Sequence, residues 1–187
     1  EFKDPAYTVS TMTNPEYDTN ILRFNYTSLT TPNSVFDYDM RKQKKVLLKQ
    51  DVVLDKSFSI KNYESKRYYA KARDGKKIPI SLVYKKGLIK NSNNPLLLYG
   101  YGSYGYSMDP YFSSVRLSLL DRGFVFAIAH IRGGEELGRE WYEDGKLLNK
   151  KNTFYDFIDC AEFLISEKYT SKQHLYASGG SAGGLLM

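Results

Sequence analysis

Near its end, this 187-residue chain sets one serine among four glycines, in the run "GGSAGG" at 179–184. Gly179-Gly180-Ser181-Ala182-Gly183 fits G-x-S-x-G, the pattern of a strand that turns straight into a helix and holds a serine hydroxyl at the bend. Such a bend strains the backbone at Ser181, and a large side chain two places away would strike the neighbouring strand or helix. Glycine at 179 and 183 removes that collision. The hydroxyl then stands at the carboxyl edge of a sheet beside a helix N-terminus, where partial positive charge favours a developing anion. The chemistry expected of this arrangement is nucleophilic attack on a carbonyl. A glycine-rich turn that cradles a phosphate is the competing possibility, but the segment has neither the G-x-G-x-x-G spacing nor the Gly-Lys-Ser/Thr of a phosphate loop.

A serine nucleophile needs a base, and the chain has two histidines. His174 precedes Ser181 by seven residues of extended chain, a separation of up to roughly 23 Å at about 3.3 Å per residue. It is excluded as the base. His130 ends a buried strand on the correct sheet edge. In a hydrolase-type sheet, however, that strand lies two positions from the nucleophile strand, about 9.6 Å away. His130 is therefore expected to be a rim or structural residue. In α/β-hydrolases the usual chain order is Ser, then Asp or Glu, then His. Both partners are thus expected beyond residue 187, with the triad incomplete in this chain and the chain alone inactive.

The elements that must carry Ser181 can be traced backwards. "HLYAS" at 174–178 reads as the strand before the elbow and "AGGLLM" as the start of the helix after it. Phe154, Phe157, Ile158, Ala161, Leu164 and Ile165 recur at steps of three and four, predicting an amphipathic helix over about 153–168. Thr153 with Asp156 resembles a loose capping box at its start. "FVFAIAHI" at 124–131 and "PLLLY" at 95–99 read as buried strands, with a helix over about 113–121 between them. Two further strands flank Asp74-Gly75, a strong hairpin signal. This alternation predicts an α/β fold, a mostly parallel sheet with helices on both faces. Residues 21–54 differ. They read as short β-strands separated by "TTPNS" and "RKQKK", enough for at most one blade of a β-propeller.

Composition narrows the classes. No apolar run approaches the roughly 20 residues that span a bilayer, so no membrane partner is expected. The formal net charge is +6, but the lysines fall in short groups beside turns, at 41–45, 85–90 and 150–151. They read as solvated loop faces, with no nucleic-acid partner expected. Cys160 is the single cysteine. It falls inside a helical pattern, as a buried structural thiol would, and points to a reducing, cytoplasmic setting. Two separated histidines and one cysteine supply no metal cluster, and no cofactor is expected.

The segments "LLLYGYGSYG" (96–105), "FAIAHIRGGEELG" (126–138), "WYEDGKLLNKKNTFYDF" (141–157) and "YASGGSAGGLLM" (176–187) together resemble the prolyl oligopeptidase family of serine peptidases. The resemblance implies a β-propeller joined to an α/β-hydrolase domain. Residues 1–60 would be the last blade and linker, and residues 61–187 the first part of the peptidase domain, ending just after the elbow. It also implies short peptides as substrates. By position, Ser181 matches the nucleophile, Tyr101 a hydroxyl donor of the oxyanion hole, and Ala182 its backbone N–H donor. Tyr104 would line the substrate pocket. Arg132-Gly133-Gly134 matches a loop beside the site, or else forms a structural turn with a surface arginine. Ser103, Tyr104 and Ala182 stand where the proline-specific members carry Gly, Phe and Asn, departures that favour the branch cleaving after Arg or Lys. The acidic residues that select those side chains are expected beyond 187, so Glu135, Glu136, Glu143 and Asp144 are not assigned to them. An esterase or other α/β-hydrolase sharing the elbow, and a non-catalytic binding module built from the same parts, remain as alternatives.

Overall fold

Aromatic and β-branched residues at the front of the chain build an antiparallel sheet. The computed structural model describes residues 2–187. Strands β1 (Tyr7–Thr11), β2 (Ile21–Ser28), β3 (Ser34–Asp39) and β4 (Lys44–Gln50) lie side by side in chain order, each antiparallel to the next. Phe24 and Phe36 face each other across β2 and β3 and stack with centroids 5.6 Å apart, a cross-strand pair of the kind that fixes register. β1 was not among the strands expected from the sequence. Asp4, just before it, accepts hydrogen bonds from the Tyr26 hydroxyl and from Thr31 Oγ1 (3.0 Å), contacts that no local pattern reveals.

The Asp74-Gly75 turn joins β5 (Tyr63–Lys71) to β6 (Lys77–Lys85) as an antiparallel hairpin, with Gly75 at φ 88°. Then follow β7 (Leu96–Tyr99), α1 (Ser114–Leu120), β8 (Val125–Ala129), α2 (Arg139–Glu143), α3 (Lys151–Ser166), β9 (Leu175–Ser178) and α4 (Ala182–Leu186). The five strands are ordered β5-β6-β8-β7-β9; β8, β7 and β9 are mutually parallel, and the hairpin is added antiparallel at one side. The central strands β6 and β8 are buried on both faces, whereas β9 at the sheet edge leaves Tyr176 and Ala177 exposed. Ile78, Ile80, Leu82, Leu96 and Leu98 pack towards Phe157, Cys160 and Leu164 of α3. Val83, Phe126 and Ile128 pack towards Leu117 and Leu120 of α1 on the opposite face. The two sheets are tied where the Phe112 N–H donates to Thr27 Oγ1 at 3.1 Å and the Phe58 ring meets Phe112. Among the described residues no helix is long and apolar enough to cross a membrane.

Two details of α3 depart from expectation. It begins at Lys151, and Thr153 and Asp156 do not form a capping box. Thr153 Oγ1 donates instead to the carbonyls of Arg132 (2.7 Å) and Gly145 (3.1 Å), while Asp156 accepts from Arg132. Tertiary partners outcompete the helix's own first-turn N–H groups. Ile158 falls outside the buried stripe and is 42% exposed.

Cys160 is fully buried in the α3 face, and burial pushes its thiol pKa well above the ordinary value. The thiol should therefore be inert in the folded protein. A Cys160→Ala variant should leave the native-state count of thiols reactive with Ellman's reagent unchanged and lower the count after denaturation by one.

Candidate active site

Parallel register decides which loops meet. Tyr99 of β7 is paired with Ser178 of β9, so the two strands end level, and segments 100–106 and 179–181 leave the sheet together. The Gly100 N–H donates to the Ser178 carbonyl at 3.2 Å across this edge. Ser181 then adopts φ 54°, ψ −120°, a region sparsely populated by residues with side chains, and α4 starts at the next residue. Strain of this type is on the order of 1–3 kcal/mol and persists only where the surroundings enforce it.

The enforcement comes from backbone contact. A Cβ on Gly179 would lie 2.3 Å from the Gly183 carbonyl oxygen, and one on Gly183 would lie 2.7 Å from the Gly100 carbonyl oxygen. Glycine is required at both places, as the motif predicts. Gly180 faces open space and carries no such requirement. Ser181 itself is exposed. The N–H groups of Gly183 and Gly184 bond to the carbonyls of Gly180 and Ser181, each at 2.8 Å, while the Ala182 N–H heads the helix, where donors lack intrahelical partners.

Tyr101 is half-buried, and its ring lies against the first turn of α4: a Cβ on Gly183 would sit 3.5 Å from ring atom Cδ2. Tyr106 packs edge-on against it with centroids 5.9 Å apart. Tyr104, at φ 60° and 79% exposed, borders a hollow of about 400 Å³ that Ser103, Tyr142, Ala182 and Leu185 also line. Ser181, Ala182, Tyr101 and Tyr104 thus converge on one sheet edge.

The loop carrying Tyr101, Tyr104 and Tyr106 is gripped by its neighbours. Gly102 has φ 66°, and a Cβ there would strike Thr153 and Ile131 at 2.5 and 2.8 Å. A Cβ on Gly133 would lie 2.1 Å from the Gly102 carbonyl oxygen, and the Gly105 N–H donates to the Gly133 carbonyl at 2.9 Å. Arg132, rather than lying on the surface, is 3% exposed. Its Nε and Nη2 fork onto Asp156 at 2.8 and 2.6 Å, its backbone N–H adds a third bond at 3.0 Å, and Nη1 reaches Asp74 at 2.5 Å. Burial works against the guanidinium charge, but the two carboxylates outweigh it and raise the Arg132 pKa. The Arg132-Gly133-Gly134 turn is structural and buttresses the tyrosine loop.

Neither histidine meets Ser181. His130 follows β8, two strands from β9, and is 2% exposed; its Nε2 lies 2.9 Å from Ser81 Oγ and 2.8 Å from Arg67 Nη1. Burial depresses its pKa. It lines a different hollow, of about 440 Å³, with Pro5, Tyr7, Arg67 and Glu136. His174 lies ahead of β9, where its carbonyl accepts from the Leu96 N–H at 2.9 Å. The unassigned carboxylates have local partners: Glu135 pairs with Arg139, Glu136 accepts from the Met108 N–H at 2.9 Å, Glu143 pairs with Arg139 and Lys146, and Asp144 with Lys76. One residue near the site was not foreseen. Lys150, read from its sequence neighbours as solvated, turns inward onto the tyrosine loop.

Two family models match the chain, the N-terminal β-propeller domain of prolyl oligopeptidase over residues 1–51 and the prolyl oligopeptidase family over residues 110–187. Among curated proteins, dipeptidyl aminopeptidase BI of Pseudoxanthomonas mexicana is 50% identical over 98% of this chain and 25% of its own length. Protease 2 of Moraxella lacunata is 45% identical over 98% of this chain and 26% of its own. The solved structure of oligopeptidase B from Leishmania major superposes with a TM-score of 0.90 at 48% identity, covering all of this chain and 26% of that one. The chain therefore spans about a quarter of the length of these relatives. It joins the last part of a β-propeller to an α/β-hydrolase sheet, and with that pairing and this similarity from end to end it belongs to the prolyl oligopeptidase family.

Proposed function

We propose that this chain supplies the nucleophile and the oxyanion donors of a serine endopeptidase that hydrolyses short peptides after Arg or Lys. The observation that carries the proposal is an exposed Ser181 held at φ 54° by glycines that nothing larger could replace. The remaining triad members come from outside this chain. Residues 1–60 form the last propeller blade and linker and residues 61–187 the first part of the peptidase domain, in a cytoplasmic protein with the buried Cys160 reduced.

In the reaction, Ser181 Oγ adds to the scissile carbonyl carbon as its proton passes to a histidine supplied from outside this chain. The carbonyl oxygen becomes an oxyanion between the Tyr101 hydroxyl and the Ala182 N–H. Collapse breaks the C–N bond, the histidine's proton goes to the leaving amine, and an acyl ester remains on Ser181. Water then gives a proton to the same histidine and adds to the ester; collapse breaks the bond to Ser181 Oγ, the histidine's proton returns to that oxygen, and the acid is released. Tyr104 lines the pocket beside the scissile bond.

Loss of one oxyanion donor costs about 2.7–4 kcal/mol in the transition state. Tyr101→Phe in the full-length protein should lower kcat by about 10²–10³-fold with KM little changed; a variant with unchanged kcat would remove Tyr101 from the mechanism. A substrate panel tests the specificity. Peptides with internal Arg or Lys should be cut and those with internal Pro spared, whereas cleavage of short acyl esters alone would leave an esterase. Similarity to dipeptidyl aminopeptidase BI favours a second reading, stepwise release of dipeptides from a free N-terminus. N-acetylated peptides decide between the two, because only an endopeptidase cuts them.

A further inference from the structure

Lys150 sits at a position that suits its helix poorly. It is the N-cap of α3, in helical conformation (φ −56°, ψ −28°), with no side-chain capping bond, no acidic residue in the first turn and a second lysine next to it. Ser, Thr, Asp or Asn would cap this end, and a cation opposes the partial positive charge there. Its Nζ instead lies 2.5 Å from the Gly102 carbonyl oxygen and 2.9 Å from Ser103 Oγ. Among the described residues no carboxylate is paired with this ammonium, and burial pushes its pKa below the ordinary lysine value. A half-buried cation at the wrong end of a helix, spent on two neutral acceptors, marks a local conflict of the sort found where function overrides stability.

The acceptors belong to the residues directly after Tyr101. Gly102, Tyr104 and Gly105 have φ of 66°, 60° and 64°, so the loop enters the left-handed region at three of four successive residues, and at Tyr104 it does so against the preference of a residue with a side chain. The Gly102 carbonyl is wedged between Gly133 on one side and Lys150 on the other.

We propose that Lys150 is a positioning residue for the oxyanion hole: its ammonium fixes the Gly102 carbonyl and the Ser103 hydroxyl, and through them aims the Tyr101 phenol at the substrate's oxygen. The inference rests on the peptidase function proposed above. Lys150 also lines the hollow that Tyr104 borders; in this role its ammonium is engaged by the Gly102 carbonyl and the Ser103 hydroxyl and acts through them on Tyr101. Losing it affects the contact that strengthens in the transition state and leaves ground-state binding alone.

The test compares Lys150→Met, Lys150→Arg, Tyr101→Phe and the Lys150→Met/Tyr101→Phe double variant of the full-length protein, with kcat counted per site titrated by a fluorophosphonate so that unfolded protein does not enter. Lys150→Met should lower kcat roughly tenfold or more, since small misplacements near the reacting atoms carry large penalties. KM should move less than about twofold. Lys150→Arg should restore most of the loss, and the melting temperature should hold or rise, because the helix end loses a cation. The double variant should be no slower than Tyr101→Phe alone, since both changes disable one donor. Unchanged kcat in Lys150→Met, losses that multiply in the double variant, or a fall in kcat tracked by a fall in melting temperature would each overturn the proposal. Should Lys150→Met fail to fold, the role is structural and the proposal is again overturned. If the parent protein neither labels nor turns over peptides, the peptidase function fails; if it does both and only the lysine variants are silent, this inference alone fails.

Discussion

Replacing Ser181 by Ala in the full-length protein should abolish fluorophosphonate labelling and lower peptide turnover by about 10⁶-fold, the loss seen when a triad nucleophile is removed and binding is left intact. Between Gly179 and Leu186 the Ser181 hydroxyl is the only side-chain group able to attack a carbonyl, the other residues being Gly, Ala and Leu. Labelling that survived in the variant would remove Ser181 from the mechanism. Stability gives an independent check. At φ 54°, ψ −120° any residue with a Cβ is strained, so Ala keeps the strain and Gly relieves it. Ser181→Gly should therefore be as inactive as Ser181→Ala yet more stable by about 1 kcal/mol, once the greater entropy of unfolded glycine is set against the relief. Equal stabilities would mean that the bend is relaxed in solution and that the serine is not held for attack.

The elbow was legible because its constraint is local. Gly179 and Gly183 are needed within four residues of one another, against one neighbouring strand, and the spacing records that directly. The apolar runs of β7 and β8 and the stripe on α3 were legible for the same reason. Residues whose roles depend on distant partners were not. Arg132 reads as a surface residue until Asp74 and Asp156, 58 and 24 positions away, are brought to its guanidinium. Thr153 and Asp156 have the types and spacing of a cap, and only the fold shows that both are engaged elsewhere. Lys150 lies in a pair of lysines that looks solvated, and its acceptors lie 48 and 47 residues upstream. β1 pairs with β2, and Asp4 just ahead of it reaches across to Tyr26 and Thr31, 22 and 27 positions on. The bend that presents Ser181 could be found from a pattern of small residues, whereas the parts that hold its surroundings rigid required coordinates.

Arg132 carries the largest structural prediction. Its guanidinium and the Asp156 carboxylate are both buried, at 3% and 0% exposure, and burying such a pair is tolerable only while every lone pair and proton is engaged. Arg132→Met removes the cation and leaves Asp156 with the backbone N–H of residue 132 alone, an uncompensated buried charge. Breaking a buried pair in this way costs about 3–5 kcal/mol, so the full-length variant should show a clear drop in the stability of the peptidase domain by urea denaturation. The pair itself need not stabilise the fold. Adding Asp156→Asn keeps an acceptor for that N–H while removing the orphaned charge, so the double variant should recover most of the loss. A double variant as unstable as Arg132→Met would show that the guanidinium's own packing, with its face near Trp141, matters more than its charge. Activity should separate from stability in the recovered protein. Gly133 rests on the Gly102 carbonyl and accepts from the Gly105 N–H, so a slackened turn at 132–134 transmits directly to the loop that carries Tyr101. The double variant should therefore regain its stability while its kcat stays depressed, the opposite of what a purely scaffolding arginine would give.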